Sequence, residues 1–63
     1  MNYKTIAQKI EFDLNSGVYT YFPWLRNRLN AIMKRLYYLA FVINANPLTE
    51  SEISILEENG YLN

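Results

Sequence analysis

Apolar residues recur at helical spacing in three stretches of the chain, which predicts three helices. The first helix is predicted over residues 3–15. One of its faces carries the apolar residues Tyr3, Ile6, Ala7, Ile10 and Leu14. Ser16-Gly17 then gives a stop signal, because glycine tolerates the left-handed conformation that ends many helices.

A heptad pattern dominates the second helix, which is predicted over residues 23–44. Pro23 suits its first turn, where a fixed φ helps and a missing N–H donor costs nothing. Apolar residues then follow at intervals of 4, 3, 4, 3 and 4, namely Leu25, Leu29, Ile32, Leu36, Leu39 and Ile43. This inner seam is typical of helices that pack at shallow angles. From Tyr37 to Ile43 the flanking positions are apolar too, so a buried strand is the alternative there.

The segment before this helix, Val18 to Phe22, is rich in residues that favour extended structure. It is predicted as an extended connector, with a short strand as the alternative. Such a strand would have no obvious partner in the chain other than the same strand of a second copy.

The third helix is predicted over residues 50–58 and has the clearest boundaries of the three. Asn46-Pro47 breaks the preceding helix, because the residue before a proline disfavours helical backbone. Thr49 and Glu52 have the spacing of a capping box at the start of the new helix. Asn59-Gly60 gives the stop signal at its end.

The fold class predicted from these elements is all-α, a single domain over residues 1–63 with a long central helix. The chain has no cysteine and no histidine, so it lacks disulfides and the commonest metal ligand. It nevertheless carries one Trp, six Tyr and three Phe. Because a chain this short buries only about 60% of its unfolded surface, some large apolar side chains should stay exposed. That surplus predicts a homodimer or a partner protein.

Enzymatic activity is not expected from this composition. Acid–base catalysis falls most often to histidine, and an activated nucleophile needs a neighbouring base. The remaining acidic candidates are the pairs Glu11/Asp13, Glu50/Glu52 and Glu57/Glu58. Each pair is better explained as helix surface or capping charge, so no catalytic residue, cofactor or metal site is predicted.

An aromatic cluster in the connector is the first candidate binding site. It contains four aromatics within six residues, namely Tyr19, Tyr21, Phe22 and Trp24. Tyr, Trp and Arg are the residues enriched at the energetic centres of protein interfaces. The predicted partner-binding residues are therefore Tyr19, Tyr21, Trp24, Arg26 and Arg28. In the alternative interpretation, Phe22 and Trp24 close one end of the core and the tyrosines lie on the surface.

A basic group on the second helix is the second candidate site. Its members are Arg26, Arg28, Lys34 and Arg35. Such a group could contact nucleic-acid phosphates, although four charges give only a weak electrostatic footprint and the whole chain has zero net charge. In the other interpretation, the acidic third helix packs nearby and neutralises these bases within the fold or across a dimer.

The function expected from the sequence is a small protein-binding regulator or inhibitor that covers a partner's working surface. A DNA-binding regulator is the alternative. The composition, rich in Asn, Ile and Tyr, is similar in style to accessory proteins of phages and plasmids. The first fifteen residues do not resemble a signal peptide, and the longest apolar run has eight residues, so a cytoplasmic location is expected.

Overall fold

A computed structural model describes residues 1–62 of the chain. It contains three helices, α1 (Tyr3–Asn15), α2 (Pro23–Phe41) and α3 (Glu50–Glu58), and no strand within the described residues. The predicted all-α class with a long central helix is confirmed. The predicted bounds of the first and third helices are confirmed as well.

Both ends of α1 are capped by the residues that flank it. The side chain of Asn2 accepts a hydrogen bond from the Thr5 amide at 3.0 Å, which satisfies one free N–H group of the first turn. At the other end Gly17 adopts a φ of 79°, a conformation that few other residues tolerate. The amides of Gly17 and Val18 bond back to the carbonyls of Leu14 and Asp13. This double bond pattern is a Schellman motif, and it reverses the chain direction.

The segment from Ser16 to Tyr21 is a series of turns, so the prediction of an extended connector or strand at residues 18–22 was wrong. The Thr20 amide donates to the Gly17 carbonyl at 3.2 Å, and the Phe22 amide donates to the Tyr19 carbonyl at 3.0 Å. β-propensity is a weak local preference, and the chain reversal that starts at Gly17 overrides it here.

The second helix ends at Phe41, three residues before the predicted end at residue 44. Val42 is extended, with a φ of −119° and a ψ of 110°, and its amide caps the helix on the Tyr38 carbonyl. The strand alternative for residues 37–43 was also wrong, because the helix includes residues 37–41. The early end has a physical reason, since Val42 and Ile43 are β-branched residues of low helix propensity.

Helices α1 and α2 form an antiparallel hairpin. The turn at residues 16–22 joins one end, and at the other end Met1–Lys4 lie beside Leu39–Phe41 around a shallow cavity. The middle of the inner seam is fully covered by this packing. The buried apolar residues of the core are Ile6, Ala7, Ile10, Leu29, Ile32, Leu36, Leu56 and Tyr61.

Helix α3 begins and ends with the predicted signals. The Thr49 hydroxyl accepts from the Glu52 amide at 3.2 Å, and the Glu52 carboxylate accepts from the Thr49 amide at 2.8 Å, which completes the capping box. Gly60 has a φ of 78°, and the Tyr61 amide bonds back to the Leu56 carbonyl in a second Schellman motif. The chain therefore folds back over α3 immediately after its last turn.

The C-terminal segment is fixed by a chain of hydroxyl groups. The Tyr61 hydroxyl donates to the Asp13 carboxylate at 2.6 Å, so its single proton is used there. The Tyr19 hydroxyl, 2.7 Å away, must then donate to Tyr61. Burial and the hydrogen bond to Asp13 raise the pKa of Tyr61 well above its usual range, so this phenol stays protonated. The chain of bonds joins α1, the turn and the segment that follows α3.

Large apolar side chains remain exposed outside this core, as the composition predicts. They lie mainly in two regions, one at the α1–α2 turn and one at the C-terminal end of α2. The exposed large apolar residues are Met1, Phe12, Val18, Tyr21, Phe22, Trp24, Tyr38, Phe41, Val42 and Ile43. In a single copy of the chain, this apolar surface faces water.

Candidate protein-binding site

Exposed aromatic side chains cluster where the turn enters α2. Tyr21, Phe22 and Trp24 are 90%, 61% and 73% exposed, and Val18 before them is 54% exposed. We refer to these four residues as the turn patch. The alternative interpretation, in which Phe22 and Trp24 close the end of the core, is wrong because both side chains face solvent.

Tyr19 has a different position from the other aromatics of the predicted site. It is partly buried and packs against the core, and its hydroxyl is bonded to Tyr61. It therefore fixes the backbone on which the turn patch stands. The helix start at Pro23 restricts the same backbone from the other side, since proline fixes φ.

The two arginines predicted beside the aromatics also differ in their surroundings. Arg26 is exposed one turn into α2. Arg28 is half-buried, and it donates a hydrogen bond to the Ser51 hydroxyl of α3 at 3.0 Å. Of the predicted partner-binding residues, the structure leaves Tyr21, Trp24 and Arg26 exposed and uses Tyr19 and Arg28 in contacts within the fold.

Arg35 is the most extensively bonded member of the basic group. Its Nε lies 3.2 Å from the Glu52 carboxylate, and its Nη2 donates to the carbonyls of Asn46 and Pro47 at 3.1 and 3.0 Å. This is the single ion pair among the described residues. Neutralisation by the third helix is therefore observed at Arg35. Arg28 bonds to the same helix through Ser51, whereas Arg26 and Lys34 point to solvent.

The Glu52 carboxylate responds to these surroundings. Its burial alone would raise its pKa, because a charged group is poorly solvated inside a protein. The backbone amide of Thr49 and the guanidinium of Arg35 outweigh that effect and lower the pKa of Glu52 below its usual value. Glu52 is therefore charged at neutral pH and joins the capping box to α2.

A second heptad pattern on α2 was not recognised from the sequence. It runs along the solvent side of the helix at intervals of 3, 4, 3, 4 and 3. All six of its residues are exposed, and we call them the outer stripe: Trp24, Asn27, Ala31, Lys34, Tyr38 and Phe41. The sequence carries a signal for this stripe, because the aromatic residues Trp24 and Tyr38 are spaced two heptads apart. The polar residues between them made this face look like ordinary solvated surface.

The other surface features offer less specific chemistry. A groove of about 520 Å³ lies between α1 and the C-terminal segment and is open to solvent. Its carboxylate, on Asp13, is already bonded to Tyr61. No group of three or more acidic side chains gathers as a metal site among residues 1–62. Within the same residues, no helix combines the length and apolar character needed to cross a membrane.

Comparison with other proteins gives no relative for this chain. No protein family matches it, and no characterised protein or solved structure shows significant similarity to it.

Proposed function

We propose that this chain is a non-catalytic regulator that binds another protein through the turn patch and Arg26. It inhibits by covering the partner's working surface, it acts as a homodimer in the cytoplasm, and it is of the kind that phages and plasmids encode. The observation that carries the proposal is the joint exposure of Tyr21, Phe22 and Trp24 at the hairpin end. Exposed apolar patches of this kind mark interaction sites.

The turn patch has the size and the rigidity that an interface centre needs. Its three aromatic side chains expose on the order of 400 Å² together, about half of what one partner contributes to a standard interface. The Tyr19–Tyr61 bond and Pro23 hold the backbone beneath them. Because little backbone freedom is lost on binding, more of the contact energy contributes to affinity.

The same surface indicates the chemistry of the partner. Aromatic side chains in contact with a second protein are best received by apolar pockets, and Arg26 needs a carboxylate opposite it. No acidic side chain occurs from Pro23 to Phe41. The partner site is therefore an apolar depression bordered by Asp or Glu.

The test is a binding comparison between the native chain and the double variant Tyr21→Ser/Phe22→Ala. The partner is first captured from the source cell with the native chain and identified by mass spectrometry. We expect the double variant to bind it at least about 100-fold more weakly, because two interface anchors are lost. Its thermal unfolding should be unchanged, since both side chains are exposed in the native chain.

Phe12→Ser is the matched control, because Phe12 is 72% exposed but lies on α1 outside the turn patch. It should bind the partner as the native chain does. Equal loss of binding in the control and the double variant would contradict the proposal. So would tight binding of generic duplex DNA that disappears between low and moderate salt, which is the behaviour of a nucleic-acid-binding module.

A further inference from the structure

We propose that a second copy of this chain packs antiparallel along the outer stripe of α2, and that each docking surface is built from both copies. The inference rests on the homodimer in the proposed function and gives it a location and a register. It starts from one observation: the outer stripe has heptad spacing and is exposed along its whole length. Heptad spacing is the pattern with which one helix packs along another.

The stripe is complementary to itself when the second helix runs in the opposite direction. With the two-fold axis between Ala31 and Lys34, Trp24 lies opposite Phe41 of the second copy and the aromatic rings pair at both ends. Ala31 lies opposite Lys34 of the second copy, so the methylene stem of the lysine covers the smallest residue. Because the axis is a two-fold, each of these pairs occurs twice.

Charge selects the antiparallel direction over the parallel one. In a parallel pair at the same register, Lys34 would face its own copy directly in the middle of the interface, with no acidic residue on α2 to offset it. In the antiparallel pair the two Lys34 side chains extend out of the interface on opposite sides of the two-fold axis. The parallel pair is therefore disfavoured, because like charges repel when they face each other in a partly desolvated interface.

The available area suits a reversible dimer. Trp24, Tyr38 and Phe41 are 73%, 53% and 72% exposed, which amounts to on the order of 400 Å² per copy. With the contributions of Ala31 and the Lys34 stem, two copies reach the roughly 1,000 Å² that a specific interface requires. A dimer near this lower limit should be weak and should dissociate on dilution.

This register completes the docking surface. It brings the turn patch of one copy beside the C-terminal end of α2 in the other, where Val42 is 36% exposed and Ile43 is 99% exposed. One apolar surface then combines Tyr21 and Phe22 of one chain with Ile43 of the other. The dimer carries two such surfaces, one at each end.

Sedimentation of the full chain over a concentration series tests the location of the interface. Phe41→Glu and Phe12→Glu are the matched variants, because both phenylalanines are 72% exposed but only Phe41 belongs to the stripe. We expect a monomer–dimer equilibrium that Phe41→Glu weakens at least tenfold and Phe12→Glu leaves unchanged. We also expect salt to tighten it, because salt screens the lysine and arginine charges. Circular dichroism establishes that both variants are folded.

A thiol crosslinker tests the direction, since the native chain has no cysteine. In the antiparallel register, the two copies of Asn27→Cys are about 16 Å apart along the axis, whereas Asn27→Cys faces Tyr38→Cys of the other copy. A short crosslinker should therefore join the mixed pair and not Asn27→Cys alone. Joining of Asn27→Cys alone would overturn the antiparallel register.

Three other outcomes overturn the dimer on this face. The first is a monomer at every concentration, and the second is a dimer that Phe12→Glu disrupts and Phe41→Glu does not. The third is a dimer that salt weakens strongly, because such a dimer would place the acidic helix α3 in the contact. If the chain stays monomeric and Phe41→Glu weakens its binding to the captured protein, the stripe receives a helix of that protein instead. Partner capture by a monomer would leave the proposed partner binding standing and would remove only the homodimer, so the two failures are distinguishable.

Discussion

Replacing Arg35 with Met is expected to lower the free energy of unfolding by about 3 kcal/mol, a large part of the roughly 3–9 kcal/mol expected for a chain of this size. Arg35 pairs with Glu52 and donates to the carbonyls of Asn46 and Pro47, so it fastens the α2–α3 loop to α2 and, together with the Arg28–Ser51 hydrogen bond, holds the start of α3. The expected loss lies at the low end for a buried pair because the Arg35 side chain is 32% exposed. Chemical denaturation of the native and variant chains measures it.

The pH dependence of unfolding checks the same contact independently. A carboxyl whose pKa is lower in the folded state stabilises the fold above its unfolded pKa. For Glu52 this contribution is present above about pH 4.5 and is lost as the pH falls further, through its folded pKa. The Arg35→Met variant should lose less stability than the native chain as the pH falls through that range. Without the Arg35 guanidinium, the charged form of Glu52 already stabilises its fold less. Arg26→Met, which changes an exposed arginine on the same helix, should unfold like the native chain across the whole range.

Replacing Leu36 with Ala is the second substitution with a large expected effect, again about 3 kcal/mol of unfolding free energy. Leu36 is fully buried in the core, to which α1, α2 and α3 all contribute, so its removal leaves a cavity that the surrounding side chains fill incompletely. Phe41→Ala is its counterpart on the other side of the same helix. Measured in dilute protein, where only monomer is present, it should leave the unfolding midpoint nearly unchanged, because Phe41 is 72% exposed.

The two substitutions separate the two sides of α2. If both destabilise the monomer equally, the outer stripe contributes to the core and the division between an inner seam and an exposed stripe is wrong. If neither does, the core is not centred on Leu36. Only a large effect at Leu36 with a small one at Phe41 agrees with the structure.

Signals that act within one or two helical turns made much of the fold predictable from the sequence. The capping box of Thr49 and Glu52 and the glycine stops at Gly17 and Gly60 are local backbone requirements, and all of them are observed. The inner seam was also predictable, because period alone indicates which side of a helix is buried. Its last member, Ile43, is 99% exposed, because the helix ends before it.

The parts that could not be predicted depend on contacts between distant segments. Val18–Phe22 has β-forming residues, yet the chain reversal at Gly17 makes the segment a series of turns. The roles of Tyr19 and Arg35 depend on where Tyr61 and the α2–α3 loop come to lie, 42 and 11 or more residues away. The composition revealed a surplus of aromatic residues. It could not show that Trp24, Tyr38 and Phe41 lie on one exposed face of α2.

The most direct measurement of the central claim, that the folded chain leaves large aromatic side chains uncovered, uses its single tryptophan. Trp24 lies in both the turn patch and the outer stripe, and it is 73% exposed. In dilute folded protein its fluorescence should match that of a water-exposed indole and be readily quenched by a small solute. On concentration the emission should shift to the blue and quenching should fall. Blue, unquenched emission from a folded chain at every dilution would contradict the account.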